Sequence, residues 1–194
     1  MSRLRVRLLW ASLLFLPAGA SFAQFNPLTI VSKAVTTSMD VRTKAEVTAD
    51  TEISAGASKR LLDDKNAEWA GVTVMVFAQH AVLAGAVKSE AVKKRVEEVV
   101  RADRKIRSLK NELLVGDVAS LARDTALEAE INAKLTAADG VASVNMRWSA
   151  TGGRVVLMGV AQSADEAKRA TATVRGVKGV KNLKSHLRVV PPAK

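Results

Sequence analysis

The chain has 194 residues, with 30 Lys and Arg against 19 Asp and Glu, two His, no Cys, no Tyr, 48% hydrophobic residues and a net charge of +11. This is globular composition at a length that suits one ordinary domain or two small ones, which excludes extended disorder and a multi-span membrane protein. With no cysteine, disulfides, thiol nucleophiles and thiolate metal sites are excluded, and His80 and His186 are too few for a histidine-rich metal centre.

Arg3, Arg5 and Arg7 precede the apolar run from Leu8 to Leu16, Pro17 and Gly19 end it, and Ser21-Phe22-Ala23 puts small residues where a signal peptidase reads. Residues 1–23 are therefore predicted to be a cleaved secretion signal, cut between Ala23 and Gln24. The run is about nine residues long, short of the about 20 that a membrane span needs. No Cys stands at the cut, so lipoprotein anchoring is not expected. The predicted address is a bacterial periplasm, with peripheral contact at the outer membrane. Loss of three arginines lowers the charge from +11 to +8. Anionic partners are then favoured, and in a periplasm these are phospholipid headgroups and lipopolysaccharide, not nucleic acid.

Residues 24–49 have no later counterpart and form an N-terminal lead-in, of which Val31 to Ala49 reads equally as partly helical or as a strand on the first module. From residue 50 the chain repeats itself at an offset of 74 without a gap. Asp50-Thr51 falls on Asp124-Thr125, Leu83 on Leu157, Gly85 on Gly159, Ser89 on Ser163, Lys94-Arg95 on Lys168-Arg169 and Leu109-Lys110 on Leu183-Lys184. About a quarter of the aligned positions are identical. The predicted division is a first module at 50–115, a linker at 116–123, a second module at 124–190 and a tail at 191–194.

Within each module the elements follow from their periods. Asp50 and Asp124 are predicted N-caps of a helix whose buried stripe is Ile53, Ala57 and Leu61 in one copy and Leu127, Ile131 and Leu135 in the other. Val72, Val74 and Val76, like Val144, Met146 and Trp148, alternate as a strand. Thr151-Gly152-Gly153 signals a hairpin, and the return strands Ala81–Val87 and Val155–Ala161 carry Gly85 and Gly159 where a side chain would obstruct a close backbone approach. Ser89 and Ser163 cap a second helix, with Glu166 spaced to reach back to the Ser163 amide. Its apolar stripe is Val92, Val96 and Val99 or Val100, against Ala167, Ala170 and Val174. A last strand holds Leu109, Asn111, Leu113 and Val115, matched by Leu183, Ser185, Leu187 and Val189. The expected fold is α+β: two tandem αββαβ modules, each a three-stranded mixed sheet with two helices packed on one face and the other face wet.

This order, with Leu83-Ala84-Gly85, Leu157-Met158-Gly159 and Gly176-Val177-Lys178-Gly179-Val180-Lys181-Asn182, resembles the BON domain (bacterial OsmY and nodulation). The first copy departs from the pattern at Ala102-Asp103-Arg104-Lys105. The resemblance implies a dual-BON periplasmic or outer-membrane-associated protein that contacts phospholipid without catalysis. It also implies that the first helix of the second module, from Asp124 to Thr136, takes part in that contact, which makes Leu127 and Ile131 candidate residues. That helix carries Glu128 and Glu130 and no aromatic anchor, which suits interfacial insertion poorly.

No enzyme chemistry is legible. His80 and His186 read as exposed surface residues, neighbouring acids such as Asp63-Asp64 point apart on a helix, and Gly152-Gly153 lacks any phosphate-loop context. No cofactor is implied. Trp69 and Trp148 read as core or edge residues. The basic clusters are the candidate site: Lys93, Lys94, Arg95, Arg101, Arg104, Lys105 and Arg107 in the first module, and Lys168, Arg169, Arg175, Lys178, Lys181 and Lys184 in the second. They offset helix dipoles and keep small domains soluble, or they adsorb to anionic lipid, where each cation near the surface contributes about 1 kcal/mol. The second module has 11 basic against 6 acidic residues from Asp124 onward, the first 12 against 10, so the second is preferred. The expected partner is anionic phospholipid, supporting envelope integrity or osmotic and stress tolerance. The alternative is an envelope protein docked on the open sheet face or a strand edge. Nucleic acid is not expected.

Overall fold

A computed structural model describes residues 40–65, 70–116 and 121–191. The signal, residues 24–39 of the lead-in and Trp69 lie outside the described residues. The elements run α1 (Lys44–Asp63), β1 (Val72–Phe77), β2 (His80–Val87), α2 (Glu90–Arg101), β3 (Ser108–Asn111), β4 (Leu114–Val115), α3 (Leu121–Ala137), β5 (Met146–Thr151), β6 (Arg154–Ala161), α4 (Ala164–Arg175) and β7 (Asn182–Val189). Val144, predicted to be in a strand, sits in a 3-10 turn at Ser143–Asn145, just before β5.

The first helix begins earlier than expected. Thr43 and Glu46 form a reciprocal capping box, the Thr43 hydroxyl accepting from the Glu46 amide at 3.2 Å and the Glu46 carboxylate from the Thr43 amide at 2.9 Å. The end of the lead-in is thus helical. Asp50 lies inside α1, and Asp124 inside α3, which starts at Leu121; neither is an N-cap. Each carboxylate instead holds the hairpin turn of its own module. Asp50 accepts from the Ala78 and Gln79 amides at 2.8 and 2.7 Å, and Asp124 from the Gly152 amide at 2.9 Å. Gly152 and Gly153 take φ of 60° and 86° without cost, whereas Ala78 and Gln79, at 49° and 63°, carry the strain of a left-handed backbone.

In each module β1 or β5 pairs antiparallel, and β3 or β7 parallel, to the central strand β2 or β6. Both helices cover one sheet face, burying Ile53, Ala57, Leu61, Val96 and Val100 in one core and Leu127, Ile131, Leu135, Ala170 and Val174 in the other. Gly85 and Gly159 lie where the central strand meets the start of its antiparallel neighbour: an added Cβ would stand 1.8 Å from the Gly71 carbonyl oxygen and 2.1 Å from that of Asn145. The Ser89 and Ser163 hydroxyls cap α2 and α4 as predicted, at 3.2 and 3.1 Å. Glu166, however, reaches past Ser163 to the Gln162 and Ala142 amides, at 2.7 and 2.8 Å.

The last strand of the first module is broken into β3 and β4 with its register unchanged, Leu83 opposite Asn111 and Ala86 opposite Leu114. The Asn111 side chain accepts the Leu113 amide at 3.2 Å and donates to the Lys93 carbonyl and Glu97 carboxylate. Ser185 stands at the equivalent place in the second module, and β7 is continuous for eight residues.

The wet sheet face is a correction. Met75, Phe77, Val82 and Ala84 of the first sheet pack on Val156, Met158 and Val160 of the second, so the modules form a sandwich with helices outside and sheets inside. The strands require this, since β1, β2 and β6 are buried along almost every residue and are apolar on both faces. A docked protein would therefore meet strand edges, not an open face. The segment before α1 pins the seam: the Val41 amide donates to Asn145 Oδ1 at 3.0 Å, and Arg42 pairs with Asp40 and Asp50 at 2.7 and 3.0 Å. The guanidinium of Arg42 lies 4.3 Å, and that of Arg147 5.4 Å, from the Phe77 ring centroid. Burial, then the Arg42 charge, draws Arg147 down to about 10, still protonated at neutral pH.

Candidate functional site

The α4 helix buries Ala170 and Val174, with Ala167 packed beside them, so Lys168, Arg169 and Arg175 fall on its outer surface. Lys168 and Arg175, seven residues apart, share a helix face, while Arg169 Nη2 lies 3.5 Å from the Gly140 carbonyl. Beyond α4 the chain turns through Gly176 and Gly179, anchored by buried Val177 and by the Lys181 amide donating to the Gly153 carbonyl at 2.8 Å. This leaves Lys178 and Lys181 exposed at the same end of the module as the Gly152-Gly153 turn. Lys184 is exposed too, but the register puts it beside Val156 on the inner face of the sheet, at the edge of the seam. The six predicted cations thus form a five-residue outer layer and a separate Lys184.

Leu127 and Ile131 belong to neither. They are 7% and 0% exposed in the core of the second module. Their spacing gives the inward stripe of α3, so they stabilise the fold and offer no surface to lipid.

The pairing of charges differs between the modules. In the first, Arg95 binds Asp64 at 2.6 Å and Glu98 at 3.3 Å, Arg101 binds Glu97 at 2.6 Å, Lys105 binds Glu52 at 2.5 Å and Arg60 binds Asp103 at 3.2 Å. The Arg101 and Asn111 hydrogen bonds hold Glu97 below its ordinary carboxylate range. In the second, none of Lys168, Arg169, Arg175, Lys178, Lys181 or Lys184 makes an ion pair among the described residues. The reason is the orientation of the acids. Asp124 and Glu166 are buried, bonded to the main-chain amides of Gly152, Gln162 and Ala142. Glu128 accepts the Ala150 amide at 2.7 Å, and burial pushes its carboxyl up despite that bond. Three of the module's six acids are directed inward, and Lys168, Arg169, Arg175, Lys178, Lys181 and Lys184 are left exposed without acidic partners among the described residues.

The two histidines, predicted to be exposed, are half-buried at the seam. His80 Nδ1 lies 2.6 Å from Ser108 Oγ, and His186 Nε2 lies 2.8 Å from a Glu112 oxygen whose partner oxygen binds Arg154. Their signal was present in the strand alternation, which places both on the inner face. Trp148 is an edge residue, its Nε1 donating to the Glu128 carbonyl at 3.2 Å. No helix of the described residues is long and apolar enough to cross a membrane.

A duplicated helix–hairpin–helix–strand unit, folded face to face with its copy and presenting a basic outer layer, defines a class of small tandem-domain proteins. The BON domain family model matches residues 49–117 and 123–191, and the chain belongs to the BON-domain family. It is 31% identical over 144 residues to the osmotically-inducible protein Y of Escherichia coli (strain K12), covering 72% of each chain. It is also 32% identical over 125 residues to an uncharacterized protein in the gshII 5' region of Anaplasma centrale, covering 62% of this chain and 83% of that one. Among solved structures it is similar to CdsD, a structural protein of the type III secretion system of Chlamydia trachomatis, at 15% identity and a TM-score of 0.31. That match covers 73% of this chain and 64% of the other.

Proposed function

We propose that this chain is a non-enzymatic envelope protein of the periplasm that adsorbs weakly to anionic phospholipid through the outer cations of its second module, supporting osmotic or envelope stress tolerance. The carrying observation is a difference of degree in ion pairing: among the described residues Arg95, Arg101 and Lys105 of the first module's cluster are matched by acids while Lys93, Lys94, Arg104 and Arg107 are not, whereas none of Lys168, Arg169, Arg175, Lys178, Lys181 and Lys184 of the second is matched. Similarity to an osmotically-inducible protein supports the stress context. Contact is electrostatic, because Leu127 and Ile131 are committed to the core and no apolar bulk stands among the cations. Several cations acting together at about 1 kcal/mol each give weak, salt-sensitive adsorption. Sedimentation with phosphatidylglycerol vesicles at low and high salt tests the reading. Retention at low salt, absent on phosphatidylcholine and lost at high salt, supports it; retention indifferent to lipid charge and salt contradicts it.

A further inference from the structure

The strand β7 ends the second sheet with one side unpaired. It runs parallel to β6 alone, and in a parallel ladder successive residues point their main-chain groups to opposite sides. The Val190 amide donates to the Ala161 carbonyl at 2.9 Å, so the even-numbered residues face β6, and Leu183, Ser185, Leu187 and Val189 direct their amides and carbonyls outward. None of these four amides has a hydrogen-bond partner among the described residues. The first module closes the matching edge. There the outward amide of Leu113 is taken by the Asn111 side chain at 3.2 Å, and the strand is split into β3 and β4 at that point. Ser185, in the place of Asn111, is exposed and leaves β7 continuous for eight residues. At the far side of the second sheet, the Ala150 amide of β5 is held by Glu128 at 2.7 Å. Sheet edges are commonly blocked against chance pairing, and this fold leaves β7 open.

The side chains along this edge define what fits it. Lys184, His186 and Arg188 alternate on the inner face; His186 is held by Glu112 at 2.8 Å, and neither Lys184 nor Arg188 makes an ion pair among the described residues. The acids whose charge reaches Arg188, Asp50 and Glu46, are committed to the Ala78–Gln79 turn and the Thr43 cap. On the helix side, Leu183 and Leu187 lie half-buried beside the second core, and Val189 is 48% exposed. Antiparallel pairing with a second copy through the outward groups sets odd-numbered residues opposite odd-numbered ones. Lys184, His186 and Arg188 then meet one another in every such register, and like charges placed opposite destabilise a strand pair. We propose that β7 takes an extended peptide segment of another protein as a fourth strand, with acidic side chains at alternate positions beside Lys184 and Arg188 and apolar ones between them beside Leu183 and Leu187. Main-chain hydrogen bonds to the four outward residues hold the segment, and the two cations select its charge. The α4 cations take no part, so this edge stands or falls apart from vesicle adsorption by that layer.

A synthetic peptide of alternating Val and Glu is the probe, one of alternating Val and Lys is the control, and amide exchange of the protein is followed by NMR. At saturation the Val–Glu peptide is expected to slow exchange of the Leu183, Ser185, Leu187 and Val189 amides by about tenfold, and the Val–Lys peptide to leave them unchanged. Ser185→Pro removes an outward donor without touching the ladder to β6, and the folded variant is expected to lose the effect. Should it fail to fold, K184E decides, since Lys184 is exposed: it is expected to weaken the Val–Glu peptide by about fivefold. Amides that do not slow, equal slowing by both peptides, or a folded variant that responds as the parent does overturn the proposal. Protection of the four amides in the protein alone also overturns it, assigning the edge to a second copy where dilution releases them and to another segment of this chain where dilution does not.

Discussion

Glu112 and His186 stand 74 positions apart, the offset of the internal repeat, and their side chains meet at 2.8 Å. Contact between equivalent positions is the mark of a two-fold axis, as in an isologous dimer, so the tandem modules associate as two copies of one chain would. Glu112 also binds Arg154, which lies at the place of His80 in the other copy. Glu112→Gln removes the carboxylate from both partners and is expected to cost about 1–2 kcal/mol in denaturant unfolding. Hydrogen exchange should quicken first along β7.

Asp50 and Asp124 occupy one role with unequal weight. Asp50→Ala strips two turn amides and Arg42 of their acceptor, with an expected loss of about 3 kcal/mol; Asp124→Ala strips one amide and should cost about 1–2 kcal/mol. In the opposite direction, Gln79→Gly relieves a left-handed residue at φ 63° and should stabilise by about 0.5–1 kcal/mol. Urea midpoints of the three variants check the order.

Gly85→Ala and Gly159→Ala place a Cβ within 1.8 and 2.1 Å of a carbonyl oxygen in a sheet that cannot widen without losing its register. Each is expected to cost about 3–4 kcal/mol or prevent folding, read as a large fall in thermal midpoint.

Stability should fall as the solution is acidified through the histidine range. Burial, then Arg188 and Arg107, hold the His80 pKa below its ordinary 6.5, so the unfolded chain binds this proton more readily than the folded one. The contribution is complete above 6.5 and is lost as pH drops through the folded value. His80→Gln should flatten the dependence of the urea midpoint between pH 7 and 5, while a parent chain with no slope there would count against the assignment.

Much of this was readable from sequence, because the repeat constrained each element twice. The stripes of Ile53, Ala57 and Leu61 and of Leu127, Ile131 and Leu135 lie in the cores as their spacing implies. An N-cap and a buried acceptor for a distant turn leave the same mark in sequence, an acid near a helix start, so Asp50 and Asp124 read as caps where the fold makes them turn acceptors. Alternation in Val72–Phe77 and Ala81–Val87 predicts one wet face, whereas their near-continuous apolar runs signal the burial on both faces that the seam requires. The exposed cations were found, but that Asp124, Glu128 and Glu166 turn inward needs the fold.

The decisive measurement compares three chains on phosphatidylglycerol vesicles at low salt: the parent, K168Q/R175Q/K178Q and R95Q/R101Q. The first variant removes cations without acidic partners and the second removes cations already matched by Asp64, Glu98 and Glu97. The account predicts that the first variant keeps its stability within about 0.5 kcal/mol and stays in the supernatant, while the second sediments with the parent. Equal sedimentation of all three chains, or loss confined to R95Q/R101Q, would contradict it.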